Sequence, residues 1–332
     1  MKKILYLGNL YPLEASLAAE LTNSPDWDIK FAIHRKQLVK TFGGTLTNLA
    51  SMYNSVIFNE PQMGDAVKMI SEYNPDYIFV RCWTKFAGFP IPNGIYYKPE
   101  TDIVKGPGAS IKFIPPHPGA KWIITESKEE VQLYRDKYKV PTTWLPYCVS
   151  KFWEKPAEKT RDIVTCGTLL HGPKMQSFNM LVKPLFENLP DGSVFMYVNA
   201  FSKAQPEKWM EGRFQQAYPV EKTAEIVGSA KIFVSPTTFR YALGAFSLKT
   251  IQGMGCGALT ITQKYGNIED YFGPDGENLL YANSSEECLN KVKFYLKHDS
   301  ERKKIAERGY NFIHSEYNWT KHLTRALGDL GL

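Results

Sequence analysis

Cysteine is scarce. The 332 residues hold five, at Cys82, Cys148, Cys166, Cys256 and Cys288. An odd number without any CxxC pair excludes a disulfide framework and a zinc knuckle. A reducing cytoplasm is therefore the expected location. No apolar run approaches the ~18 residues of a membrane span, and mean hydropathy is −0.32. Met1 to Gly8 is too short and too soon broken to read as a secretory leader. HExxH is absent, no spaced cluster of carboxylates reads as a metal site, and no short tandem repeat or low-complexity segment appears. Charge of one sign is also lacking. The net charge is +6, from 40 basic and 34 acidic residues. It spreads as 17 against 14 over 1–150 and 23 against 20 over 151–332, which argues weakly for a polyanion partner. Apolar residues at 43% and charged ones at 22% exclude a disordered chain or a rod. The length suits about two domains of ~150 residues.

What is present is alternation of strand and helix patterns. Strands are expected at Lys3–Gly8, Asp28–His34, Ser55–Asn59, Asp76–Val80, Ala109–Ile114, Lys121–Thr125 and Thr142–Leu145. Helices are expected at Leu13–Leu21, Met63–Tyr73 and Glu126–Lys139, the last with acidic residues first and basic residues last. Residues 146–160, with Pro146 and Pro156, read as a linker. The alternation then restarts, with strands at Asp162–Cys166, Ser193–Asn199, Lys231–Ser235, Ala258–Thr262 and Glu277–Tyr281. Helices are expected at Met175–Leu189, Val220–Gly228, Ser247–Gly255, Ser284–Lys297, Ser300–His314 and Trp319–Leu327. Repeated β-α-β order gives an α/β fold of two doubly wound, Rossmann-like domains, 1–150 and 151–317, with the helix at 318–332 returning to the first. Ligands in such folds bind beyond the carboxyl ends of the strands, here in the cleft expected where the two domains face each other.

Two strand-loop-helix units suit a phosphate. In the first, the loop after Ser235 carries Arg240 and leads through Phe246, Ser247 and Leu248 into a helix, whose unpaired N–H groups and dipole attract an anion. Arg240 and Lys249 can add charge-assisted bonds. In the second, Gly167 ends a strand and allows close backbone approach, and Lys174 opens the next helix, where a cation fits poorly unless an anion lies beside it. An ordinary loop with a surface arginine, and a solvated lysine, are the plain alternatives.

Residues 81–121 have no helical or strand period. They hold six basic residues against Glu100 and Asp102, interleaved with aromatic, Pro and Gly residues. A loop this long inside a compact domain is usually functional or disordered. Arg81, Trp83 and Lys85 are its candidate ligand contacts. Such groups stack on sugar rings, hold phosphate and stack bases, or simply pack.

Ordered stretches over residues 121–328 resemble the donor domain of GT-B glycosyltransferases of the broad family-4 and CgeB-like kind. They are Lys121-Trp122-Ile123-Ile124-Thr125-Glu126-Ser127, Thr143-Trp144-Leu145-Pro146, Arg161 to Gly167, Ala230 to Pro236, Gly253-Met254-Gly255-Cys256-Gly257-Ala258-Leu259, Pro274 to Tyr281, and Arg302 to Gly309. The resemblance implies a metal-independent glycosyltransferase with no cofactor. Its donor is a nucleotide-diphosphate sugar, a UDP-sugar first, with the diphosphate near Phe246, Ser247 and Leu248 and with Lys174 and Arg240 as phosphate partners. The family carries two glutamates eight positions apart before the Gly-Met-Gly-Cys-Gly stretch, the second on the nucleotide ribose. Here those positions are Gly244 and Gln252, a departure; an amide there can still donate to and accept from a ribose. His117, held between prolines after a strand, stands where the family places a histidine on the transferred sugar. Glu14, in the first strand-to-helix loop, is the rival as acceptor base, or a helix-dipole partner. The acceptor expected first is a carbohydrate or glycan. One alternative is a hydroxylated base in DNA, as in phage DNA glucosylation, which requires base flipping. The others are a non-catalytic sugar-nucleotide-binding protein and a sugar-nucleotide epimerase.

Overall fold

The computed structural model describes residues 1–8, 17, 25–34, 55–58, 63–81, 91, 94–98, 116, 119–149, 157–169, 173–200, 207–216, 220–237 and 246–332. They fall into two compact units, the first over Met1–Phe152 and Asn318–Leu332, the second over Trp153–Ala242 and Phe246–Tyr317.

The first unit is built on seven parallel strands: β1 (Lys2–Gly8), β2 (Trp27–His34), β3 (Ser55–Phe58), β4 (Tyr77–Arg81), β5 (Gly94–Lys98), β6 (Ala120–Thr125) and β7 (Thr142–Trp144). Their order is β3-β2-β1-β4-β5-β6-β7. Side chains alternate across a strand, so β1 sends Leu5 and Leu7 to one face, where they pack with Ala32, Ile78, Val80 and with Met69 and Tyr73 of helix α1 (Met63–Tyr73). Tyr6 goes to the other and meets Phe31 and Tyr97 at centroid distances of 5.4 and 6.4 Å. Both faces are covered, as a parallel sheet requires.

Helix α2 (Lys128–Tyr138) starts at Ser127, whose Oγ accepts from the Glu130 N–H, and stops at Lys139 in the left-handed region, φ 55°. The last helix of the chain belongs to this unit. Asn318 bridges to Val149 and caps it. Thr143 Oγ1 donates to Asp329 at 2.9 Å, and Arg325 donates to the Trp144 carbonyl.

The second unit has six parallel strands: β8 (Arg161–Leu169), β9 (Val194–Ala200), β10 (Phe214–Gln216), β11 (Ala230–Ser235), β12 (Leu259–Gln263) and β13 (Leu280–Ala282). Their order is β10-β9-β8-β11-β12-β13, so the strand order reverses between β8 and β11. The helices are α3 (Pro173–Leu181), α4 (Lys183–Asn188), α5 (Val220–Gly228), α6 (Leu248–Gly255), α7 (Glu269–Phe272), α8 (Ser285–Lys297) and α9 (Asp299–Glu316); α10 (Trp319–Asp329) is the one that returns to the first unit. One core lies over Ile163, Ile232, Val234 and Ile261 with Phe178, Leu181 and Leu185 of α3 and α4 and Val292 of α8. The other lies over Val164 and Phe233 with Val227 and Cys256.

Four expectations need correction. The stretch 81–121 contains a strand, β5, seated between β4 and β6 with Ile95, Tyr96 and Tyr97 all buried. The linker start, residues 146–149, is buried chain of the first unit. The helix expected over Met175–Leu189 is two helices, broken before Pro184, whose ring cannot continue a helix from the preceding turn. The strand expected at Glu277–Tyr281 forms only at Leu280–Ala282. Ala109–Ile114, and Leu13–Leu21 except Leu17, lie outside the described residues.

Candidate nucleotide-sugar site

A crevice opens beyond the carboxyl ends of parallel strands where their order reverses. In the second unit that place is the end of β8 and β11. β8 ends on Cys166-Gly167-Thr168-Leu169. Gly167 is buried and carries no Cβ to hold a ligand off. Beside it the Cys166 thiol is pushed up to about 11 by burial, while the Lys249 cation pulls it the other way. Lys249 stands in the first turn of α6.

The start of α6 is held from both sides. Ser247 is its N-cap, and its Oγ accepts from the Lys249 N–H at 3.3 Å. Phe246 is buried among Tyr271, Phe272 and Tyr317, at centroid distances of 5.3, 4.8 and 5.4 Å. Its ring is committed to packing. Ser235 Oγ at the end of β11 lies 3.2 Å from Thr250 Oγ1, and Thr262 Oγ1 donates to the Ser235 carbonyl. Gly253 lets α6 press on the sheet: a Cβ there would come within 2.4 Å of the Phe233 ring and 2.5 Å of Thr260 Oγ1. The chain after β11 is tied to α3 as well, since the Thr237 N–H donates to Ser177 Oγ at 3.0 Å.

Gln252, one turn into α6, is 1% exposed, and neither Oε1 nor Nε2 has a hydrogen-bond partner. Leaving such a group unpaired costs about 1–3 kcal/mol. Side chains of a helix lean toward its N-terminus, so this amide leans toward the turn opened by Leu248. A buried amide awaiting partners, a helix N-terminus, a cation and a bare glycine thus share one end of one sheet. The arrangement suits an anion with polar groups attached to it.

Of the expected donor residues, Gly167 lies near the carboxyl end of β8, Phe246 and Ser247 lead into α6, and Leu248 and Gln252 lie on it. Lys174 has its backbone in the first turn of α3, with its side chain outside the described residues. Arg240, His117, Glu14, Trp83 and Lys85 also lie outside them. Arg81 is the last residue of β4, paired with Tyr97, at the carboxyl end of the first sheet. The hydroxyls of Ser235, Thr250, Thr262 and Ser177 were not anticipated; the signal for them is a hydroxyl residue at a strand's end or on a neighbouring helix. Among the described residues no group of three His, Cys, Asp or Glu side chains could hold a metal ion. Asp26-Trp27-Asp28 has the spacing of a metal-binding aspartate pair but starts β2, at the opposite end of the sheet from the ligand-binding side. His314 Nε2 lies 3.1 Å from the Gly255 carbonyl at the end of α6, and His298 stacks on Phe294.

Residues 176–328 match the family model described as glycosyl transferase-like. Solved structures align with the whole chain. HepE of Anabaena, in complex with UDP and glucose, superposes with a TM-score of 0.67 at 14% identity, covering 100% of both chains. Sucrose-phosphate synthase of Thermosynechococcus elongatus gives 0.61 at 13% identity over 99% of this chain and 98% of that one. The T4 phage BGT, in complex with UDP and Mn2+, gives 0.60 at 13% identity over 99% and 97%. The chain has the GT-B fold, and its residues 176–328 are similar to glycosyl transferases.

No curated protein matches it in sequence. The matched segment begins in α3 and runs through α6 into α10, so it contains the helix that carries Gln252. Among the described residues no helix is long and apolar enough to cross a membrane.

Proposed function

We propose that the chain moves a sugar from a nucleoside-diphosphate sugar, a UDP-sugar first, to an acceptor hydroxyl, with the donor held by the second unit between β8 and β11. The observation that carries this reading is the unpartnered, buried Gln252 amide on the helix whose N-terminus faces that crevice. Ribose hydroxyls supply the donor and acceptor that the amide lacks. The UDP bound to HepE and to the T4 phage BGT supports uridine as the first base to test.

The chemistry then follows from charge. As the acceptor oxygen bonds to the anomeric carbon, the bond from that carbon to the diphosphate oxygen breaks, and negative charge grows on the departing diphosphate. The first N–H groups of α6 and the cations Lys249, Lys174 and Arg240 meet that charge, an electrostatic stabilisation that requires little reorganisation. The acceptor's proton goes to Glu14 or His117. The transfer needs no resident metal in this scheme. The acceptor is a carbohydrate or glycan hydroxyl, met by Arg81, Trp83 and Lys85.

The test is nucleotide release from UDP-sugars with and without oligosaccharide acceptors, in the presence of EDTA. Release that depends on acceptor and survives EDTA supports the scheme. Loss with EDTA and recovery with a divalent cation would reject its metal-free part. Product on DNA with hydroxymethylated bases, falling steeply with salt, would move the acceptor to nucleic acid.

A further inference from the structure

Gln252 places a particular demand on whatever fills the crevice. A carboxylate in that position has only acceptor oxygens, so satisfying it takes two hydrogen donors. On a nucleotide these would be the two ribose hydroxyls, and removing either leaves a buried oxygen unpaired, with the penalty that brings. An amide asks for something else: a donor for Oε1 and an acceptor for Nε2. One hydroxyl is both. Seated against the edge of the amide, it donates to Oε1 and accepts from Nε2, and the second hydroxyl becomes dispensable.

The surroundings keep the amide from finding these partners within the protein. It is 1% exposed and both polar atoms are unpaired. The hydroxyls nearest in the sequence and along the strand ends are engaged: Thr250 with Ser235, Ser247 with the Lys249 N–H, Thr262 with the Ser235 carbonyl. Gly253 holds α6 against Phe233 and Thr260, which fixes the helix and with it the height of the amide above the sheet. Lys249 stands on the same helix, three positions before Gln252.

We infer that the donor site accepts 2′-deoxyribonucleoside diphosphates about as well as the ribonucleoside forms, because Gln252 needs a single sugar hydroxyl. This rests on the donor-site reading above. It defines a substrate class, donors built on a deoxyribose, in addition to those built on ribose.

The experiment is calorimetric titration of the full chain with matched pairs: UDP and dUDP, GDP and dGDP, ADP and dADP, CDP and dCDP. For the base that binds, the two members should agree within about threefold in Kd. Gln252→Glu should separate them by tenfold or more in favour of the ribose form. Gln252→Met, of similar volume and without polar atoms, should weaken both members of the pair equally and serves if the buried carboxylate prevents folding. A wild-type preference of tenfold or more for the ribose form overturns this inference and leaves the donor site standing. No binding by any member of any pair overturns both.

Discussion

Ser235 and Thr250 place their hydroxyl oxygens 3.2 Å apart, both fully buried, one where β11 ends and the other in the first turn of α6. This bond ties the helix that carries Gln252 and Lys249 to the strand beside which the sheet order reverses. The position of that helix is thereby set in part by two buried hydroxyls.

Removing one hydroxyl leaves the other unpaired. Thr250→Val should cost about 1–3 kcal/mol of stability and, at roughly 2–4 °C per kcal/mol, lower Tm by several degrees. Nucleotide affinity should fall too, since α6 loses its anchor. Thermal denaturation with and without UDP reads both effects. An unchanged Tm would show that the bond contributes nothing.

Gly253 and Gly328 make a matched pair. A Cβ at Gly253 meets the Phe233 ring and Thr260 Oγ1, whereas at Gly328, in α10, nothing lies within 4 Å. Gly253→Ala should destabilise by about 1–3 kcal/mol through overpacking. Gly328→Ala should be neutral or stabilise by up to about 1 kcal/mol, because alanine is the better helix former. Denaturant titration of the two variants checks the contrast, and equal effects would contradict the packing described for α6.

Burial holds the Cys166 thiol up at about 11 and the Cys288 thiol up at about 12. Both should resist alkylation in the native protein at pH 8 and react once it unfolds. The sign of the linkage follows: the unfolded thiols lose their protons near pH 9 while the folded ones keep theirs. Their contribution to stability is therefore whole below about pH 9 and declines through pH 9–12. Mass spectrometry after timed iodoacetamide treatment tests the first statement, and Tm across pH 8–11 tests the second. Rapid native labelling of Cys166 would contradict its burial.

Most of the fold was legible. α1 and α5 lie at their expected residues, Met63–Tyr73 and Val220–Gly228, because their apolar positions recur at helical spacing. β5 was not legible. Ile95, Tyr96 and Tyr97 are buried on both faces of the sheet, so β5 shows no alternation, and it sits among the Pro, Gly and aromatic residues of a stretch that read as loop. The break between α3 and α4 follows from Pro184, a signal overridden by the apolar residues around it. In the site, Gly167 and the Ser247 cap could be read from strand-end and helix-start chemistry. The Ser235–Thr250 bond could not, because it joins residues 15 apart that only the turn into α6 brings together. Nor could the isolation of Gln252, which depends on what every neighbouring group does with its own hydrogen bonds.

The central claim is that the second unit holds a nucleoside diphosphate at the start of α6. Thermal denaturation of the full chain against UDP, GDP, ADP, dTDP and CMP, each then as its sugar conjugate, tests it most directly. A ligand at ~100 times its Kd should add about 2.7 kcal/mol, a rise of several degrees, for one base above the others, and Gln252→Met should reduce that rise. A flat response from every nucleotide and every nucleotide sugar would contradict the claim.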